Sequence, residues 1–167
     1  MEVIDYTTIQ TNLAQLDASY ASATDITMNI LYSKLAVIEF CGWIEVSIDT
    51  LAKDHLNCSI LDHTLKGKVE SFIDGHYGFD YERNVLPIIC CAIGTSNWEN
   101  IIDSCPISDF NNFLAILRNY KRMRNSAAHT NVVIGVTMTY FSPSVVLNDY
   151  NRIRPAIQFF ESEIAKL

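Results

Sequence analysis

The chain has 167 residues, 49% of them hydrophobic, with 6 glycines and 4 prolines. That is enough apolar material for one well-buried core and too little chain for two, so a single domain spanning 1–167 is expected. Nineteen acidic residues against 12 basic ones give a formal net charge of -7, which works against long-range capture of a polyanion by the whole molecule. No run reaches the ~20 apolar residues of a membrane span. The first residues carry no basic stretch leading into an apolar core, so the expected location is cytoplasmic, with no membrane partner. Five cysteines (Cys41, Cys58, Cys90, Cys91 and Cys105) are odd in number and lack the dense spacing of a secreted disulfide scaffold, so they read as reduced thiols.

In chain order the pattern is all-helical. Ile9, Leu13, Leu16 and Tyr20 recur at helical spacing and predict a first helix over about 6–21. A second, much longer helix is predicted from Asp25, an N-capping type, to about Leu56, interrupted by no proline and by one glycine, Gly42. Its apolar residues, from Ile30 to Leu51, cover nearly the whole circumference. Such a helix is either central or shares an interface with a second copy, and a homodimer is expected. Further helices are predicted after Asp62, over about 81–93, and after Ser96, where Ser96-Asn97-Trp98-Glu99 fits a capping box. Pro106 and Asp109 mark a stop and restart. The β-branched run Asn131 to Tyr140 suits a short strand or an ordered loop. A last helix is predicted from Ser144 to Lys166, bent near Pro155.

Charge is not spread evenly along the chain. From Phe110 to Asn148 there is no Asp or Glu, while Arg118, Lys121, Arg122 and Arg124 all fall there, so this window carries +4 and the remainder -11. Such asymmetry suits a local polyanion site on an acidic protein. At ~100° per residue, Phe113, Ile116, Leu117, Tyr120, Met123 and Ala127 share an apolar arc, and Arg118, Arg122, Asn125 and His129 share the opposite face. Arg124 falls inside the apolar arc, where a charge must be paired or solvated. Glu45, among Ile38, Cys41 and Ile48 of the long helix, is the expected structural partner. One reading is a core Arg–Glu pair with His129 closing the helix C-terminus, favoured by the macrodipole. The other is a phosphodiester-handling trio of Arg124, Asn125 and His129. On an ideal helix Arg124 and His129 stand ~140° and ~7.5 Å apart, so their convergence requires local unwinding near His129 or a two-fold axis.

The block Arg124-Asn125-Ser126-Ala127-Ala128-His129, followed by Thr130, resembles the Arg, polar residue, spacer, His motif of the HEPN superfamily, the higher-eukaryote and prokaryote nucleotide-binding helical domains. The long helix KLAVIEFCGWIEVSIDTLAKDHL and the downstream Ser142-Pro143-Ser144 are similar to the bacterial RiboL-PSP-HEPN and related defence-associated branch. The resemblance spans most of 25–166. It implies an all-α HEPN-like helical bundle around one long buried helix, commonly a homodimer with two motifs facing each other. It also implies metal-independent cleavage of RNA, without cofactor, with Arg124, Asn125 and His129 as catalytic residues. A toxin or stress-defence role follows, with an antitoxin or defence-system protein as a possible partner.

The residue chemistry agrees with that implication. RNA carries its own nucleophile, the 2′-hydroxyl, so a protein need only move protons and stabilise charge. Histidine titrates nearest neutrality and suits the proton step. An arginine fork suits the developing phosphate charge, and Arg118, Lys121 and Arg122 would bind the flanking strand. A non-catalytic dimeric interaction or nucleotide-binding module is the alternative, with Arg124 serving the Glu45 pair. The remaining constellations are weaker. His55, Cys58 and His63 lack a nearby fourth ligand, so no metal is expected. Asp74-Gly75-His76-Tyr77-Gly78-Phe79 reads first as a turn and second as a rim that stacks bases.

Overall fold

The structure, a computed structural model, describes residues 4–59, 62–129 and 139–167. These form seven α-helices and one π-helical turn, with no strand among the described residues. The helices are α1 (Tyr6–Ser22), α2 (Ile26–Ser59), α3 (His63–Asp74), α4 (Leu86–Ile93), α5 (Thr95–Ser104), α6 (Ile107–His129) and α7 (Pro143–Ile164), and the π-turn (Tyr81–Val85) leads directly into α4. Of the run 131–140, all but Thr139 and Tyr140 lies outside the described residues, and those two are neither helix nor strand.

Local chemistry explains most of the helix starts. Asp5 accepts from the Thr7 and Thr8 amides at 2.9 and 2.8 Å, and Asp62 from the Thr64 and Leu65 amides at 2.8 and 3.0 Å. Each thereby satisfies two donors that a first helical turn leaves open. Asp25 takes the Thr27 amide at 3.0 Å at the start of α2. Three starts differ from the sequence reading. The capping box at Ser96 is not formed. Helix α5 begins two residues before the predicted first position, at Thr95, with Gly94 at its N-cap and no side-chain cap, because Gly94 (φ 85°) lets the chain turn sharply from α4 into α5. Helix α6 begins at Ile107 rather than Asp109, and α7 at Pro143, a residue preset for the first helical turn. Pro155 does not break α7. It and Asn151, the residue whose carbonyl loses a donor, are both exposed, so water can serve that oxygen.

Helix α2 is the axis, packed against α1, α4, α6 and α7. Val37, Phe40, Ile44, Ile48, Ala52 and Leu56 are sequestered along it. Aromatic rings lock the neighbours together. Tyr120 of α6 stands edge-on to Phe40 at 4.9 Å, Trp43 meets Tyr150 of α7 at 5.0 Å, and Phe160 meets Trp98 and Phe113 at 4.9 and 5.2 Å. These T-shaped pairs each add ~0.5–1.5 kcal/mol beyond the area they bury. Hydrogen bonds tie α7 to α6 and α1, while Ser47 Oγ of α2 is buried without a partner among the described residues. Tyr120 donates to the buried Asp149 carboxylate at 3.0 Å, Arg152 donates to the same carboxylate at 3.2 Å and to Asn112 at 2.7 Å, and Tyr150 donates to the Tyr6 carbonyl at 2.6 Å. This network fixes α6 against α7, and so fixes the C-terminal half of α6 that carries the charged residues.

The encirclement of α2 is incomplete. Met28, Leu31, Leu35, Ile38 and Val46 remain exposed, spaced along one side of the helix with Gly42 between the last two. No single helix among the described residues is long and apolar enough to cross a membrane.

Candidate functional site

Packing of Phe113, Ile116, Leu117, Tyr120 and Ala127 into the core orients the remaining faces of α6. Arg118, Arg122, Asn125 and His129, at i, i+4, i+7 and i+11, all lie exposed along its outer face. Arg124 is half-buried on the side toward α2. Its Nη2 lies 3.2 Å from Glu45 Oε1 and donates to Oε2 at 3.5 Å, with the two side chains 35% and 26% exposed. The pair is close but poorly aligned. Glu45 Oε1 is buried and receives no hydrogen bond. Lys121 is not free either, because its ammonium is bound by the Asp80 carboxylate from across the fold.

These pairings open onto one cleft of about 330 Å³. Lys121, Arg124 and Asn125 line one wall, Glu45 the floor from α2, and Tyr77 to Asp80 with Arg83 and Asn84 the opposite side. The opposite side is built by a turn with specific local causes. Gly78 takes φ 101°, which L side chains rarely adopt, and the Asn84 side-chain amide donates to the Tyr77 carbonyl at 2.9 Å. Phe79 is buried in the core, and Asp80 accepts the Arg83 amide at 2.9 Å to start the π-turn. One Asp80 oxygen thus caps the turn while the other holds Lys121. The Lys121 hydrogen bond, and next the Arg83 amide, keep this carboxyl below its ordinary value of 3.8.

Three cations and two carboxylates share the cleft, a local excess of positive charge on an acidic protein. Behind it, Cys41 is buried beside Glu45 and Arg124. Burial first, and the Glu45 charge second, push its thiol up to about 12, so it stays protonated and is no nucleophile at neutral pH.

His129 does not line the cleft. The helix stays regular through His129, so the unwinding that would draw it toward Arg124 within one chain does not occur among the described residues. The structure therefore sorts the expected residues into two groups that share Asn125. Lys121, Arg124 and Asn125 belong to the cleft, while Arg118, Arg122, Asn125 and His129 belong to the open face. Thr130 lies outside the described residues. Among the described residues no three His, Cys, Asp or Glu side chains cluster closely enough to hold a metal.

Sequence reasoning missed Asp80, Arg83 and Asn84. The sequence places residues 81–84 only at the start of the helix predicted over 81–93, and nothing local announces that this stretch faces α6 some forty residues later. The glycine at 78 beside exposed aromatic character was the available signal. No protein-family model, curated protein or solved structure matches the chain.

Proposed function

We propose that the protein is a metal-independent endoribonuclease of the HEPN type, acting as a homodimer in a toxin or defence role. The observation that carries this reading is the wall of Lys121, Arg124 and Asn125 on a net-positive cleft, adjoining the exposed face of His129. In the mechanism, the RNA 2′-oxygen attacks the adjacent phosphorus as His129 moves a proton from or to the reacting oxygens. The bond to the 5′-oxygen breaks, leaving a 2′,3′-cyclic phosphate and a 5′-hydroxyl. Arg124 swings from its poorly aligned contact with Glu45 to the phosphate, where its fork meets the charge that develops. Asn125, on the border of both groups, orients phosphate or imidazole, and Arg118 and Arg122 hold the flanking strand.

A second copy supplies the missing juxtaposition. Because Arg124 and His129 diverge within one regular helix, a two-fold axis that sets His129 of one protomer near Arg124 of its partner satisfies the chemistry. Support comes from the uncovered apolar side of α2. Residues 38 and 45 are seven apart, ~20° on an ideal helix, so the Leu31, Leu35 and Ile38 stripe leads along the helix to Glu45 at the cleft. Next to it Ile38, Gly42 and Val46 border a groove of about 560 Å³ against α1.

A competing reading, a non-catalytic dimeric interaction module, is favoured by one observation: Arg124 already has a carboxylate partner. Cleavage of a mixed RNA pool in excess chelator separates the two. The ribonuclease reading expects cyclic-phosphate ends that vanish in a folded His129→Ala variant. Cleavage retained by that variant refutes the mechanism, and inert wild-type protein favours the module.

A further inference from the structure

We propose that Tyr77 is a stacking platform for one unpaired nucleobase, held at the cleft beside the phosphate that Arg124 takes. The inference deepens the ribonuclease reading and rests on it. Tyr77 is 85% exposed, the most exposed large hydrophobic side chain among the described residues. Among those residues no ring lies against it and no hydrogen bond reaches its hydroxyl.

Its backbone, by contrast, is held at its carbonyl and through the residues on both flanks. The Asn84 amide binds its carbonyl at 2.9 Å, Gly78 turns the chain at φ 101°, Phe79 is anchored in the core, and Asp80 is tied to both the π-turn and Lys121. On the other flank His76 Nδ1 sits 2.7 Å from the Phe72 carbonyl, and their rings approach to 4.1 Å. A merely solvated turn needs none of this mounting, nor a large aromatic at its tip. A stacking site needs both, because a fixed backbone limits the ordering cost when a base settles on the ring.

The surroundings fit a nucleotide rather than an apolar peptide. Tyr77 borders a cleft whose Arg83, Lys121 and Arg124 exceed Glu45 and Asp80 in charge, so a phosphate is attracted a short reach from the ring. Every base presents a π-face, so the platform tolerates sequence and demands single-strandedness, since a base inside a duplex is already stacked. This is the selection that an acidic protein with weak non-specific attraction for RNA requires. Unpaired loops and ends gain a contact that helices do not.

The test is fluorescence anisotropy with a 5′-labelled, fully 2′-O-methylated single-stranded hexanucleotide, which cannot be cleaved, together with a set in which each base in turn is abasic. Tyr77→Phe is expected to bind as wild type does, and Tyr77→Ala to bind about tenfold more weakly. The one abasic position that weakens wild type by that factor is expected to cost Tyr77→Ala nothing more. Thermal denaturation of each variant checks folding, which an exposed side chain should leave unchanged. Equal affinity of Tyr77→Ala and wild type, or abasic losses identical in both, overturns the platform. Wild-type protein that cleaves RNA while Tyr77→Ala binds undiminished overturns the platform alone. Wild-type protein that neither binds the hexanucleotide nor cleaves overturns both readings.

Discussion

Replacing Arg124 with alanine separates what the guanidinium does for the fold from what it does for a phosphate. Two unit charges some 3–4 Å apart attract by ~4–5 kcal/mol at an effective dielectric of ~20, but taking both groups from water cancels most of that gain. With side chains 35% and 26% exposed and a contact at 3.2 Å that lacks hydrogen-bond alignment, the Arg124–Glu45 pair belongs near the top of the surface range, ~1 kcal/mol. Arg124→Ala also leaves a largely buried carboxylate without its cation, which adds up to ~1 kcal/mol. The expected total is ~1–2 kcal/mol, or a Tm lower by ~2–8 °C for a chain of this size. Urea denaturation followed by the fluorescence of Trp43 and Trp98 measures it. Glu45→Gln should cost less, and the double variant less than the sum, because the pair term is counted once.

Such a loss leaves the protein overwhelmingly folded at 25 °C, so stability alone cannot remove activity. Loss of a charge-stabilising donor at the reacting phosphate should lower kcat by ~10²–10³ per folded molecule. Single-turnover cleavage corrected for the folded fraction reads this directly. A kcat within tenfold of wild type would refute the role assigned to Arg124 and leave it a structural ion pair.

Further expectations concern the network, the interface and the charges. Tyr120→Phe removes the donor to buried Asp149 and should cost ~1–2 kcal/mol in thermal denaturation, with Arg152 preventing a larger loss. Leu35→Glu puts a charge in the uncovered α2 stripe and should shift a dimer toward monomer in sedimentation velocity without unfolding it; unchanged sedimentation of a dimer counts against this interface. Because Lys121 is already neutralised by Asp80, Lys121→Ala should change the salt dependence of RNA binding less than Arg122→Ala, for which about one unit of slope is expected. Asp80 has a lowered folded-state pKa, so its contribution is present above the ordinary value of 3.8 and is lost as pH falls through the lowered one. The stability gap between wild type and Asp80→Asn should therefore be full at pH 7 and close below about pH 4; a gap that widens in acid contradicts the assignment.

The sequence by itself determined the helices, because the forces that make a helix act within one or two turns. The 3.6-residue spacing of Ile9, Leu13 and Leu16, the capping carboxylates at Asp25 and Asp62, and the proline at 106 each speak only to near neighbours. Where a local signal competed with a tertiary demand, the tertiary demand won: Ser96 surrendered its cap to the sharp turn at Gly94. The angular position of Arg124 also fixed its need for a partner, since a charge on an apolar arc must be compensated. Only the tertiary structure decided the rest. It joined Lys121 to Asp80, 41 residues away, and put Tyr77 and Asn84 across from α6. It also carried α6 on as regular helix, so that His129 stays on the open face. Such encounters depend on how helices cross in space, and a helix periodicity says which face a side chain occupies but not what that face will meet.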